Sequence, residues 1–307
     1  MGEVMRIARA FDAASAYDAH AVVQRQVADW LAERIVAVAP PAPRVLEVGC
    51  GTGFLTATTL SRLVSPDWLM TDIAPAMLAR GLAKHPGVRG RVMDGEYPDL
   101  PDEAPFDLIV SSLAVQWFGD LEAGLWRLAD LLAPGGRMLV TTLVAGTFAA
   151  WHEAHRAEGF AAGSPVYPPV EALGWPVETR TFEQRHDSAA DFMRALRAIG
   201  AGTPREGHRP IPPGAMRRIA RRFEAGGAVA TYEVGLIEIL TPRSARAKSK
   251  ATPDHCGGAC ASTSLRLNGG FLFTGSTAPR WPSAASIPAL PRAHRVRHIP
   301  PCRAGRP

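Results

Sequence analysis

Apolar residues recur at helical intervals across 19–39, where Val22, Val23, Val27, Trp30, Leu31 and Ile35 can share one broad face. Pro40, Pro41 and Pro43 end that predicted helix. Short apolar runs at 44–48, 68–71, 89–93, 107–111 and 137–143 read as strands, and helical patterns at 55–63, 76–84 and 121–132 lie between them. Such alternation predicts a parallel sheet with helices on both faces, because parallel strands need crossover connections. Past Val144 the pattern loosens. Residues 147–158 look helical, Pro165, Pro168 and Pro169 break the chain, and 177–184 alternates as a strand. Helical patterns at 189–199 and 214–225 precede a final strand at 228–240. This order implies an insertion or cap near 146–220, with the closing strand returning to the sheet.

Composition narrows the class. The 307 residues are 47% hydrophobic and 21% charged, an ordinary globular balance. No apolar run approaches the roughly 20 residues of a membrane span. The opening residues lack the apolar core of a secretory signal, so a cytoplasmic location is expected. The net charge of +5 is unevenly placed. From Thr241 onward lie 11 of the 34 basic residues and one of the 29 acids, a net of +10, which leaves −5 for the first 240 residues. Nucleic-acid binding by the main domain therefore loses its compositional support. The segment 241–307 has nine Pro, six Gly and nine Arg without a period, and disorder is the expectation there.

The chemistry concentrates at Glu47-Val48-Gly49-Cys50-Gly51-Thr52-Gly53, which follows a strand and opens a helix. Glycines at alternate positions let the chain turn sharply and admit a ligand close to the backbone, and amides at the helix start favour a negative or polar group. The spacing departs from G-x-G-x-x-G, and no Gly-Lys-Ser/Thr follows, so neither a dinucleotide fingerprint nor a phosphate loop fits. Asp72, closing the second strand, can accept both hydroxyls of a ribose. Asp94-Gly95 after the third strand is placed to read an adenine amino group. The 106–112 run approaches the same crevice beyond the strand ends.

Together with 131–140, these segments resemble class I S-adenosylmethionine-dependent methyltransferases over roughly 44–145. The resemblance implies a Rossmann-like α/β sheet, mostly parallel with an antiparallel last strand. It implies N-terminal lid helices at 1–43, a cofactor-binding core at 44–145 and a cap with the closing strand at 146–240. S-adenosylmethionine is the implied methyl donor, met by Glu47, Gly49, Gly51, Gly53, Asp72, Met77, Asp94, Gly95 and Ser111.

A narrower resemblance joins residues 7–24, 112–117, 141–148 and 192–201 to the malonyl-acyl-carrier-protein O-methyltransferases of biotin synthesis. It implies methylation of a free malonyl carboxylate. A carboxylate with a pKa near 4 is already nucleophilic at neutral pH, so alignment and desolvation matter more than a strong base. Tyr17 on the lid, with Gln116 and Trp117 after the fourth strand, are the acceptor-side candidates. Arg197 is a candidate partner for the carboxylate, and His20 is a weaker candidate. Arg217, Arg218, Arg221 and Arg222 form two i,i+4 pairs that would suit an acidic acyl carrier protein. Other acceptors, or a hydroxylase or assembly factor retaining the donor pocket, are the alternatives. No metal is expected, because His152 and His155 are one residue too close for H-E-x-x-H, and His255, Cys256 and Cys260 are too sparse.

Overall fold

The computed structural model describes residues 2–205 and 207–242. Its strands are β1 (Arg44–Val48), β2 (Asp67–Asp72), β3 (Arg89–Val92), β4 (Phe106–Ser112), β5 (Leu132–Leu143), β6 (Val177–Arg185) and β7 (Val229–Leu240). They form a seven-stranded sheet in the order β3-β2-β1-β4-β5-β7-β6. The first five strands run parallel, and β7 is antiparallel to both β5 and β6. The helices are α1 (Gly2–Asp12), α2 (Tyr17–His20), α3 (Val22–Val38), α4 (Phe54–Thr59), α5 (Pro75–Lys84), α6 (Leu121–Ala129), α7 (Ala149–Arg156), α8 (Ala189–Ala198) and α9 (Pro213–Ala225). The strand order reverses between β1 and β4, so their carboxyl ends open a crevice at the switch point.

Strand alternation feeds two cores. Val45, Leu108 and Val110 meet the cluster containing Leu31, Ile35, Trp151, Phe192 and Phe223. Leu46, Val48 and Ile109 turn the other way, towards Leu125 and Leu128 of α6. Phe192 of α8 lies 5.3–5.4 Å, centroid to centroid, from Phe148, Trp151 and Phe223. These edge-on and tilted ring pairs lock α7, α8 and α9 together and fix one wall of a cavity described below.

Several elements differ from expectation. The predicted 19–39 helix begins earlier and breaks at Ala21, giving α2 and α3. Val22, in the first turn of α3, is 40% exposed and leaves the buried face to Val23, Val27, Trp30, Leu31 and Ile35. Strand β3 is exposed along its whole length. It is an edge strand, and Arg89, paired with Asp67 and Glu103, supplies the charge that discourages further strand addition. The 146–220 stretch contributes β6, the opposite edge of the sheet. Among the described residues no helix is long and apolar enough to cross a membrane. The expectation for 241–307 lies outside the described residues beyond Pro242.

Candidate active site

The crevice holds a cavity lined by Glu47, Gly49, Gly51, Asp72, Asp94 and Trp117, among others. Asp72 ends β2 and is buried. Its Oδ2 accepts the Gly51 amide at 2.8 Å and its Oδ1 accepts the Ala74 amide at 2.8 Å. The glycine turn is therefore bound to the neighbouring strand. Gly51 needs its freedom, since its φ is +54° and its N–H must point at Asp72. Gly49 is required by proximity, because a Cβ there would lie 2.2 Å from that of Ala114.

Glu47, on β1, is 2% exposed. Its Oε2 accepts Trp68 Nε1 at 2.9 Å and the Thr56 hydroxyl. Burial pushes its carboxyl up to about 7, against those two hydrogen bonds, and Asp72 nearby adds to the rise. Burial likewise raises the Asp72 carboxyl, opposed by the backbone amides. Neither carboxylate pairs with a Lys or Arg among the described residues. The cavity is thus electronegative, and it fits a ligand carrying positive charge and hydroxyl donors. Of the negative or polar group expected at the turn, this arrangement favours the polar one, because the Gly51 amide is already taken by Asp72. Desolvation also raises the Cys50 thiol well above its usual range, which leaves it an inert part of the wall.

Met77, Asp94 and Gly95 line this cavity, whereas Gly53 and Ser111 do not. Gly53 is the left-handed residue before α4, and a Cβ there would meet the His85 ring at 2.8 Å. Ser111 points into the sheet and donates to the Val48 carbonyl at 2.8 Å, while its neighbour Ser112 reaches the cavity. Strand alternation explains this one-residue error. Glu96, which sequence reasoning missed, is buried and accepts the Gly119 and Asp120 amides at 2.7 and 2.9 Å, fixing the loop that follows Trp117.

A second cavity lies beside the first. It is lined by Gln116, Trp151, His155, Tyr167, Arg197 and Tyr232, among others. The two share Phe11, Tyr17, Gln24, Leu113 and Trp117 as walls. Tyr17 stacks on Phe54, centroids 6.0 Å apart, and Phe11 meets Trp117 edge-on at 5.7 Å. Burial raises the Tyr17 phenol, so it remains a hydrogen-bond donor at any physiological pH. Neither the Tyr17 hydroxyl nor the Trp117 indole N–H has a protein partner among the described residues. Phe11 and Gln24 belong to the N-terminal run quoted above, yet nothing in their type or spacing singled them out. Leu113 holds a left-handed φ of +51° directly after β4, a conformation that only the fold reveals.

The N-terminal helices are fastened to this site. Asp12 Oδ1 accepts the Ala76 amide at 2.9 Å, Arg80 donates to the Ala14 carbonyl at 2.7 Å, and Asp18 accepts the Thr52 hydroxyl at 2.6 Å. Lys84 pairs with Asp18 as well. His20 lines neither cavity. Arg197 is exposed and lines only the second. The four arginines of α9 are exposed but not equivalent. Arg218 and Arg222 both bind Glu158, at 2.5 and 2.6 Å, so this carboxylate already relieves their mutual repulsion. Arg217 and Arg221 have no such partner among the described residues.

Comparison with known proteins agrees with this geometry. A family model described as a methyltransferase domain matches residues 46–138. The biotin biosynthesis bifunctional protein BioCD of Bordetella avium is 45% identical over 245 residues, covering 77% of this chain and 52% of that protein. The chain therefore spans about half the length of that relative. A malonyl-[acyl-carrier protein] O-methyltransferase of Magnetococcus marinus is 41% identical over 75% of this chain and 90% of its own. Its counterpart in Halorhodospira halophila is 35% identical over 74% and 84%. With 90% and 84% of those two O-methyltransferases covered, and a cavity at the sheet's switch point, this chain belongs to the malonyl-[acyl-carrier protein] O-methyltransferase family.

Proposed function

We propose that this protein transfers the methyl group of S-adenosylmethionine to the free carboxylate of malonyl-acyl carrier protein, giving a methyl ester that serves as primer for biotin synthesis. The observation that carries this reading is the pair of cavities meeting at Tyr17 and Trp117, one electronegative and one walled by aromatic and aliphatic side chains. When bound, the donor supplies a methyl on a sulfonium, which a carboxylate accepts by forming C–O as C–S breaks, without proton transfer.

The chain's own residues bind and align. Asp72 keeps lone pairs free for ribose hydroxyls while the Gly51 and Ala74 amides hold it still. Glu47 provides countercharge for the donor's cationic end. Asp94 and Gly95 border the adenine, and Met77 packs below with Ala74 and Ala14. Gly53 and Ser111 act indirectly, by shaping the turn and strand. At the junction, the Tyr17 hydroxyl and Trp117 N–H hold the acceptor carboxylate, and the rings exclude water from it. Arg197, at the exposed rim, draws an anionic acceptor inward rather than gripping the reacting group. The acidic carrier docks over α9, where Arg217 and Arg221 are free to meet it. A cytoplasmic location follows from the same reading, since the acceptor is a carrier-bound intermediate.

The test is a methyl-transfer assay with malonyl-acyl carrier protein, malonyl-coenzyme A and free malonate. Label should pass to the carrier-bound malonyl group and far less to free malonate. Absence of transfer to any malonyl thioester would overturn the reading.

A further inference from the structure

The second cavity contains two hydrogen-bond acceptors that the fold leaves unused. His155 is 2% exposed and packs edge-on against Trp151, centroids 4.5 Å apart. Its Nδ1 lies 2.8 Å from the Trp151 carbonyl oxygen. A carbonyl can only accept, so Nδ1 carries the ring proton. Burial lowers the ring's affinity for a second proton, an effect to which His208 adds. Nε2 therefore presents a lone pair, and it has no partner among the described residues. Gln116 is the other case. Its Nε2 donates to the Leu113 carbonyl at 2.7 Å, which sets the amide's orientation, and its Oε1 is buried with no partner. Both side chains line this cavity, and neither shares in the donor cavity.

An unpaired buried acceptor such as Gln116 Oε1 is costly unless the ligand brings a donor, and the unpartnered Nε2 of His155 offers the same ligand a second acceptor. A carboxylate brings only acceptors, so these two groups are mismatched to the malonyl end. We propose that Gln116 Oε1 and His155 Nε2 receive the two amide N–H groups of the pantetheine arm on which acyl carriers bear their thioesters. This rests on the methyl-transfer reading above and extends it from the reacting carboxylate to the arm. Two neutral acceptors meet an arm with two neutral donors, and the aromatic wall of Trp151 and Phe148 covers its methylenes. The cavity then recognises the carrier's arm as well as its malonyl group, and an acceptor lacking amides is a poor substrate even with the same carboxylate.

The test compares malonyl-pantetheine with two analogues in which one amide or the other is replaced by an ester, an exchange that keeps the shape and removes the N–H. The wild-type protein should methylate each ester analogue with kcat/KM roughly tenfold below the parent, through KM. His155→Phe should erase the discrimination against one analogue and Gln116→Leu that against the other. His155→Gln, which restores an acceptor, should recover it. Donor affinity and melting temperature report that the variants fold. Equal rates for all three thioesters with wild-type protein, or discrimination surviving in both variants, would overturn the proposal. No transfer to malonyl-pantetheine itself, nor to the carrier-bound substrate, would instead overturn the methyl-transfer reading.

Discussion

Glu47 shows how one residue couples binding to stability. Its carboxyl sits near 7 in the folded protein, far above an ordinary glutamate. A cationic donor requires the charged form, so donor binding must expel a proton whenever Glu47 is protonated. Donor affinity is expected to fall as pH drops below about 7, approaching tenfold per pH unit, and to level off above it. Calorimetric titration with S-adenosylmethionine from pH 8 to 6 measures this, and Glu47→Gln should flatten the profile while weakening binding throughout. The sign for folding is the opposite. An acid with a raised folded pKa destabilises the protein as pH climbs from its unfolded value near 4.5 to about 7, by an amount of about 3 kcal/mol here. Gln cannot charge, so Glu47→Gln should raise the melting temperature of the donor-free protein at pH 8 and change it little at pH 4.5. A parallel loss at both pH values would mean that Glu47 is held for packing alone. Asp72 is different: its raised carboxyl is anchored by two amides, and Asp72→Ala should both abolish donor binding and loosen the glycine turn.

At the scale of elements, the lid and α9 each rest on a few polar ties. Helix α2 is joined to the glycine turn through Asp18, which receives Thr52 and Lys84. Asp18→Ala removes both, and since a net hydrogen bond is worth about 1 kcal/mol, donor affinity should fall roughly fivefold with little change in global stability. An unchanged affinity in fluorescence titration would show that the lid closes without this tie. On α9 the expected stripe of four arginines separates into two unlike pairs. Glu158 holds Arg218 and Arg222, whereas Arg217 and Arg221 are available. The double change Arg217→Glu with Arg221→Glu should raise KM for the carrier-bound acceptor about tenfold at low salt, and less at high salt. Malonyl-coenzyme A, which has no acidic protein surface, should be affected far less. Equal effects on both acceptors would move the docking site elsewhere. Sequence spacing could place these arginines on a helix, but the carboxylate that claims two of them is some sixty residues away along the chain.

Across the whole molecule, what the sequence made legible follows the range of the forces involved. Strands β1, β2 and β4 and the glycine turn were readable because short continuous apolar runs and turn chemistry are local, and Glu47, Asp72 and Asp94 sit at or just past the carboxyl ends of those runs. Ser111 faces away from the cavity and Ser112 lines it, an alternation that turns on a single position near the end of β4. The junction was legible only in part: Tyr17 and Trp117 are conspicuous aromatics, but Phe11, Gln24 and Leu113 enter through contacts between the lid and β4 that no local pattern encodes. That shared junction has a kinetic consequence. Phe11, Tyr17 and Gln24 wall both cavities, so donor binding that settles the lid also completes the acceptor's wall. By linkage each ligand then favours the other. Steady-state kinetics should show S-adenosylhomocysteine competing with the donor but not with malonyl-acyl carrier protein. Acceptor affinity, measured with the unreactive product in place of the donor, should exceed that of the free enzyme. Phe11→Ala should weaken this coupling more than it weakens donor binding itself, because Phe11 reaches Trp117 across the junction at 5.7 Å. Acceptor affinity indifferent to the occupant of the other cavity would show the two chambers to be neighbours without being partners.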